Sequence, residues 1–598
     1  MLVLIAVAAV IAYLPALRAG FIWDDDAYIE DNATLATLGG IARIWFEPTS
    51  IPQYYPLVHT SFWLEYRFWA QQPFGYHLVN LLLHLTSCGL LFVVVRRLAL
   101  PGALLVTAVF ALHPVMVESV AWVTERKNVL SMVFYLSSTL VYLGWSGLDG
   151  GPGVVKEQRA RGWWWAFGLF LCALTSKSVT FSLPFAFLLI TYWKRGIVRL
   201  ADVKPLIPFM VVGIGYGVFT SYLEHTHVGA NGPEFDESLI DKCLIAGRTP
   251  WFYFCKLLWP QRLVFIYERW EVDPEQIWQW AFPAATLLLL VGLVALRNRI
   301  GRGPLVAILL FGGTLFPAIG FITVFPFRYS FVADHFQYHA SLAILVSVCA
   351  CLARTVPTRI GIPAAVVVLG LFGYKTWTQA GFYENKETLY NQILTEVPDS
   401  WFAHNNLAAI YVVRGEVDRG FEFYKITKKL NPALTPGSHI KPDAYAHCMV
   451  GKMLANTYTL QPSIDAQRRG DFQASVKSLN ELRPHLTRII GHFEQAIAIN
   501  PRYVDALRDC GRVYEAIGIL TPAAGGLPMV LEAVRLFEVA VKVDPANRDV
   551  RVRASNLHLK IADGLEAMGK PADAKAHRAS ARRLREEDAA FSRTDRQR

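Results

Sequence analysis

Polar and apolar positions along the chain fall into two regimes that meet near residue 377. Before that point, apolar runs long enough to cross ~30 Å of hydrocarbon recur. They lie near 2–17, 77–95, 102–121, 129–146, 163–176, 178–193, 205–222, 279–296, 305–325, 336–353 and 360–377, which predicts eleven membrane-spanning helices. A further apolar stretch at 239–259 is interrupted by Asp241, Lys242, Arg248 and Lys256, and reads as an interfacial or re-entrant helix anchored by Trp251, Phe252, Tyr253 and Trp259. The first run lacks a charged leader and a small-x-small cleavage site, so it reads as a retained helix.

After residue 377 the pattern changes to amphipathic helices closed by proline. Asn431-Pro432, Asn500-Pro501 and Asp544-Pro545 each end one, with proline spacings of 69 and 44 residues. These are close to two periods of 34, and to one period plus an insertion. Leu407, Tyr411, Gly415 and Tyr424, then Phe493, Ala496, Leu507, Gly511, Tyr514 and Gly518, then Ala533, Phe537 and Ala540 are the small and large positions at which antiparallel helix pairs interlock. The repeat pattern is strong at 401–433 and 493–545 and weak at 434–490; 571–590 reads as a solvated capping helix.

Charge sharpens the division. Residues 1–377 carry 27 Lys+Arg and 22 Asp+Glu, about 13% of positions, whereas 378–598 carry 31 and 26, about 26%. The expected organisation is therefore all-α: a polytopic domain over 1–377, then an α-solenoid over 378–598. With the N-terminus in the cytoplasm, the loops 96–101, 147–162, 194–204, 297–304 and 354–359 hold 14 of those 27 basic residues, as the positive-inside tendency requires. An odd number of spans then places the solenoid on the opposite face. Neither part has a basic block, which argues against nucleic acid, and the eight scattered cysteines have no zinc spacing.

Four polar clusters fall on the non-cytoplasmic side of this topology. The first is Trp23-Asp24-Asp25-Asp26, three adjacent carboxylates at a membrane boundary, where mutual repulsion raises a pKa or recruits a cation. This suits a general base or a metal site of Asp24, Asp25 and Asp26; a solvated acidic loop is the plain alternative. The second, 113–128, brings His113, Glu118, Arg126 and Lys127 to an interface where polar groups are expensive. The third is Lys177 between two short spans, and the fourth joins Arg328, Asp334, His335 and His339. Together they imply one polar cavity, with Arg126, Lys127, Lys177 and Arg328 suited to a phosphate and the carboxylates to a hydroxyl acceptor.

The runs FIWDDDAYIEDN, HPVMVESVAWVTERKN, TSKSVTFSLPF and LLWP (257–260) resemble multi-spanning GT-C glycosyltransferases, and more narrowly the transmembrane and tetratricopeptide-repeat O-mannosyltransferases and their bacterial relatives. The resemblance implies transfer of a sugar, mannose in that family, from a polyprenyl-phosphate donor to a Ser/Thr hydroxyl of a protein on the non-cytoplasmic face. It maps the catalytic acidic pair onto Asp24 and Asp25, with Asp24 as base. It makes Arg126, Lys127 and Lys177 candidates for the lipid phosphate, with His113 and Glu118 lining the site. Arg328, Asp334 and His335 stand where many relatives have an arginine-aspartate-arginine-tyrosine run. A divalent metal is left open. The location implied is a bacterial inner membrane with periplasmic repeats that bind the acceptor. Competing readings are transfer to a lipid-linked or envelope glycan, a non-catalytic scaffold for an envelope complex, and, more weakly, a transporter.

Overall fold

The computed structural model describes residues 1–149, 156–434, 440–521 and 523–595, all helix, turn and loop with no strand among them. Residues 150–155 of the loop expected at 147–162 lie outside it. Two compact units divide the chain, Met1–Val397 and Pro398–Arg598. The first unit therefore continues past residue 377, through the helix Thr358–Gly381 and the short helix Lys386–Glu396.

Among the described residues, five helices of the first unit are long and apolar enough to cross a membrane: Pro73–Arg97, Val123–Ser146, Leu200–Val228, Ile277–Ile300 and Thr358–Gly381. A sixth is possible if Ala103–Leu112 and Pro114–Ala121, bent by 53° at His113, count as one broken span. The eleven expected crossings are thus not confirmed. Leu2–Ala12, Gly303–Ala318 and Ser341–Thr355 are apolar but shorter, and Leu183–Arg195 has 13 residues. The helix Leu239–Leu258, with Pro250 inside it, is not among the candidate spans.

The breaks have local causes. Pro114 cannot continue the hydrogen-bonded ladder of the preceding helix. The His113 Nδ1 accepts from Val115 N–H at 3.3 Å and its Nε2 lies 3.0 Å from the Leu257 carbonyl, so the interrupted backbone is satisfied inside the protein. His113 is buried there as the pin of a bent helix, not as part of a cavity wall. At Lys177 the helix Lys156–Ser176 likewise gives way to a short 3₁₀ turn, Ser178–Ser182, before Leu183–Arg195.

In the second unit helices pack in pairs: Trp401–Val413 with Val417–Leu430, Pro442–Thr457 with Phe472–Ile499 across the short helix Gln461–Arg468, Val504–Leu520 with Ala523–Val543, and Arg548–Ala567 with Pro571–Asp595. Ser400, Asp471 and Asn547 cap helix starts by accepting the N–H of Ala403, Ala474 and Val550. Helices stop at Leu430, Ile499 and Val543, directly before the three Asn-Pro and Asp-Pro pairs. One apolar core joins Tyr424, Tyr445, Phe493, Leu507, Phe537 and Leu557. Its close approaches need glycine. A Cβ on Gly511 would lie 2.7 Å from the Phe537 ring, and one on Gly451 3.0 Å from Phe493.

Replacing Gly511 by leucine should therefore force the pair Val504–Leu520 and Ala523–Val543 apart and cost about 1–3 kcal/mol. Gly491, which has open space around its Cβ position, should gain up to about 1 kcal/mol on replacement by alanine. Thermal unfolding of the full chain with limited proteolysis checks both; the same sign for both substitutions would contradict this packing.

Candidate active site

The acidic loop begins where Gly20 N–H donates to the Glu384 carbonyl at 2.8 Å. Trp23 follows with φ at +39°, a left-handed conformation that a bulky residue adopts only when its surroundings enforce it. The enforcement is aromatic. The Trp23 ring stacks on Trp122 at 5.5 Å and meets Phe265 edge-on at 5.3 Å and Tyr329 at 5.8 Å. The turn at Trp23 sends the next three carboxylates in three directions.

Asp24 faces a cavity of about 140 Å³, also lined by Tyr28, Gln53, Glu118, Trp122, Glu125, Lys127, Phe265 and His335. Among the described residues its carboxylate has no hydrogen-bond donor. Burial pushes its pKa up to about 6, opposed by Lys127 and reinforced by Glu125. Asp25 points the other way and is fully buried. It accepts from Ile22 N–H at 3.0 Å, Thr124 N–H at 2.8 Å and Thr124 Oγ1–H at 2.6 Å. Burial lifts its pKa to about 7 against the pull of these bonds. Asp26 pairs with Lys386 Nζ at 2.6 Å. The triplet thus does not converge on one point, and no group of three His, Cys, Asp or Glu among the described residues is arranged to hold a metal ion.

Opposite Asp24 the charges gather on Glu125, which sequence reasoning missed. It is fully buried. Lys127 Nζ and Lys177 Nζ each lie 3.1 Å from its carboxylate, His335 Nε2 3.8 Å, and Asn128 Nδ2–H donates at 2.6 Å. Glu118 holds the other side of His335, accepting its backbone N–H at 3.0 Å and facing Nδ1 at 3.0 Å. Lys127 also donates to Gln53 Oε1 at 3.0 Å and lies within 6.0 Å of the ring centres of Tyr28, Tyr55 and Trp122.

Besides His113, three expected site residues stand elsewhere. Arg126 is fully buried among Glu65, Asn80, Ser61 and the Tyr76 carbonyl, tying the helices Pro56–Trp69 and Pro73–Arg97 to its own. Every face of its guanidinium is occupied, so it is not presented to a lipid phosphate. Arg328 pairs with Glu234 at 3.4 Å on a half-exposed surface and is not part of the cavity lining. Asp334 accepts from Tyr267 Oη–H at 3.0 Å, and burial beside Glu118 raises its pKa well above the usual carboxylate range. Lys177 reaches the site through Glu125. Besides Glu125, the sequence reading passed over Gln53, Tyr28, Trp122 and Phe265; a buried acid next to Arg126-Lys127 reads in sequence as a local ion pair.

A second space shares a wall with the cavity. It is a mostly apolar groove of about 380 Å³ lined by Phe181, Ile214, Val218, Phe316, Ile322 and Val324, with Tyr55, Ser178, Thr220, Ser221 and Glu224 as polar groups. The wall is Gln53, Glu224 and the Val324–Phe325 segment: Gln53 Nε2–H donates to Glu224 Oε1 at 2.7 Å and Phe325 N–H approaches Oε2 at 3.5 Å.

No family model matches this chain. It is similar to curated proteins named protein O-mannosyl-transferases: Tmtc3 of Drosophila melanogaster (32% identity over 204 residues, 29% of this chain and 21% of that one), Tmtc1 of the same fly (37% over 146 residues, 22% and 17%) and TMTC2 of Homo sapiens (31% over 172 residues, 27% and 20%). The similarity spans about a fifth of the length of these relatives. Among solved structures, a crystal structure of MamA is similar over 36% of this chain and 95% of its own, at 17% identity and a TM-score of 0.20.

Removing Asp25 as Asp25→Ala strands three buried donors and should cost roughly 3 kcal/mol or more, at about 1–3 kcal/mol per stranded group. Arg126→Leu, which leaves Glu65 uncompensated, should cost about 3–5 kcal/mol. Asp26→Asn, at a surface pair, should cost no more than about 1 kcal/mol. Thermal midpoints of the three purified variants check the order; Asp26→Asn as the most damaging would contradict the assignment.

Proposed function

We propose that this chain is an integral-membrane glycosyltransferase that moves a sugar from a polyprenyl-phosphate carrier to a Ser/Thr hydroxyl of a protein. The observation that carries this reading is the juxtaposition in one small cavity of Asp24, whose carboxylate accepts no hydrogen bond among the described residues, the ammonium of Lys127, and the aromatic platform of Trp23, Trp122 and Phe265. That cavity adjoins an apolar groove with room for a lipid chain. The names of the relatives support mannose as the sugar and protein as the acceptor. The distribution of basic loops supports a site on the non-cytoplasmic face; a bacterial inner membrane, with periplasmic repeats that bind the acceptor, completes the proposal.

In this reading Asp24 takes the proton from the acceptor hydroxyl as its oxygen bonds to the anomeric carbon. The bond from that carbon to the phosphate oxygen breaks on the opposite side, and the electron pair leaves on the lipid phosphate. The anomeric configuration inverts. Charge growing on the phosphate meets Lys127, with Lys177 behind it across Glu125, in a site where little water screens the attraction. Asp25 positions the loop that presents Asp24. His335, clamped between Glu118 and Glu125, supplies a fixed polar wall for the sugar hydroxyls. Among the described residues the carboxylates form no cluster suited to a metal ion.

A base with a pKa of about 6 is mostly ionised at neutral pH. The kcat/KM for transfer should therefore rise with pH through about 6 and level off above it, because protonated Asp24 cannot accept the hydroxyl proton. Transfer from radiolabelled polyprenyl-phosphate-mannose to peptide by purified full-length protein tests this. Asp24→Asn should lower kcat about 10²–10⁴-fold with donor binding retained and the acid limb abolished. Full turnover in Asp24→Asn would remove the base assignment, and no turnover by the wild type with a panel of polyprenyl-phosphate sugars would remove the enzyme class.

A further inference from the structure

Gln53 stands in the wall between the polar cavity and the apolar groove, and its carboxamide is used at both ends. Tyr28 Oη–H donates to Oε1 at 2.8 Å and Lys127 Nζ–H donates to the same oxygen at 3.0 Å. On the other side, Nε2–H donates to Glu224 Oε1 at 2.7 Å. The orientation of the amide follows from chemistry: an ammonium can only donate and an ionised carboxylate can only accept, so the oxygen must face Lys127 and the NH₂ must face Glu224. One rigid planar group therefore links the cation of the cavity to the acid of the groove.

The groove's lining is otherwise apolar or neutral, with Tyr55, Ser178, Thr220 and Ser221 as its uncharged polar groups, and Glu224 is its one carboxylate among the described residues. The two oxygens of Glu224 face Gln53 and the backbone N–H of Phe325, which lines the cavity. Phe325 meets the Tyr329 ring edge-on at 6.0 Å, and Tyr329 meets Trp23 at 5.8 Å, the residue before Asp24. What occupies the groove thus presses on a wall whose far side carries Lys127, and which reaches Trp23 through one intervening ring.

Resting on the glycosyltransferase reading, we propose that Gln53 and Glu224 are positioning residues that couple occupancy of the groove by the donor's lipid chain to the placement of Lys127 at the leaving phosphate. Binding energy from the unreactive chain is then expressed in the chemical step. A donor with a truncated chain loses kcat as well as affinity.

The test compares two donors with the same phosphate-mannose head, one on a long polyprenyl chain and one on a geranyl-length chain. The full-length protein is used as wild type, Gln53→Leu, Glu224→Leu and Gln53→Glu. Wild type should show a higher kcat with the long chain. Gln53→Leu and Glu224→Leu should each reduce that long-to-short kcat ratio about tenfold, toward one, chiefly by slowing the long donor. Gln53→Glu keeps an oxygen for Lys127 and Tyr28 but repels Glu224; its long-to-short kcat ratio should also fall toward one.

Glu224→Leu exchanges a buried acid for an apolar side chain in an apolar groove, so it keeps the test alive if Gln53→Leu fails to fold. A wild-type ratio of one overturns the coupling, as do folded variants that keep the wild-type ratio or slow both donors equally. Failure of the wild type to turn over either donor would instead bring down the glycosyltransferase reading on which the coupling rests.

Discussion

A single buried carboxylate, Glu125, holds the first unit's polar interior together. An isolated ion in an apolar interior is costly, and the cost is offset only when partners surround it. Glu125 is met by Lys127 from its own helix, by Lys177 from the turn after Lys156–Ser176 and by His335 from the turn before Ser341–Thr355. Asn128 adds a donor and carries the connection on to Ser119 and the His335 carbonyl. Three segments far apart in sequence are drawn to one point. The interruption at 177 places Lys177 at that point, whereas the break at 113 has its own cause in Pro114.

Helical geometry explains why neighbouring cations have separate fates. Successive residues on a helix project about 100° apart, so Arg126 and Lys127, adjacent in the chain, serve different neighbourhoods. Arg126 turns toward Glu65 and Asn80 and knits three helices, while Lys127 turns toward the cavity. Reading the two as one phosphate-binding pair overlooked this rotation. The same reasoning applies to the acidic triplet. Three carboxylates in a row repel, and the tight turn at Trp23 relieves that repulsion by giving each its own environment.

The architecture was legible where it depends on local pattern. The prolines after Asn431, Asn500 and Asp544 end helices where the periodicity says they should, and the small–large match of Gly511 with Phe537 was visible as spacing before it became a contact. Asp24, Lys127, Glu118 and His335 were legible as polar residues in apolar surroundings, and the fold brings them to one cavity. Span number was less legible, because a hydropathy window averages across a proline or a 3₁₀ turn that shortens the helix beneath it. Glu125 and Gln53 were not legible at all. Their importance lies in partners 52 and 171 residues away, which no local pattern reveals.

The smallness of the cavity has a chemical meaning of its own. Space of about 140 Å³, walled by two stacked indoles and a phenyl ring, has room for only a handful of waters. A glycosyl phosphate seated there would expel them, leaving the activating carboxylate with no competing nucleophile to deprotonate until an acceptor arrives. Under the proposed transfer, selectivity over wasteful hydrolysis would require no separate gate: it would come from the stacking of Trp23 on Trp122, at the cost of the strained backbone at Trp23.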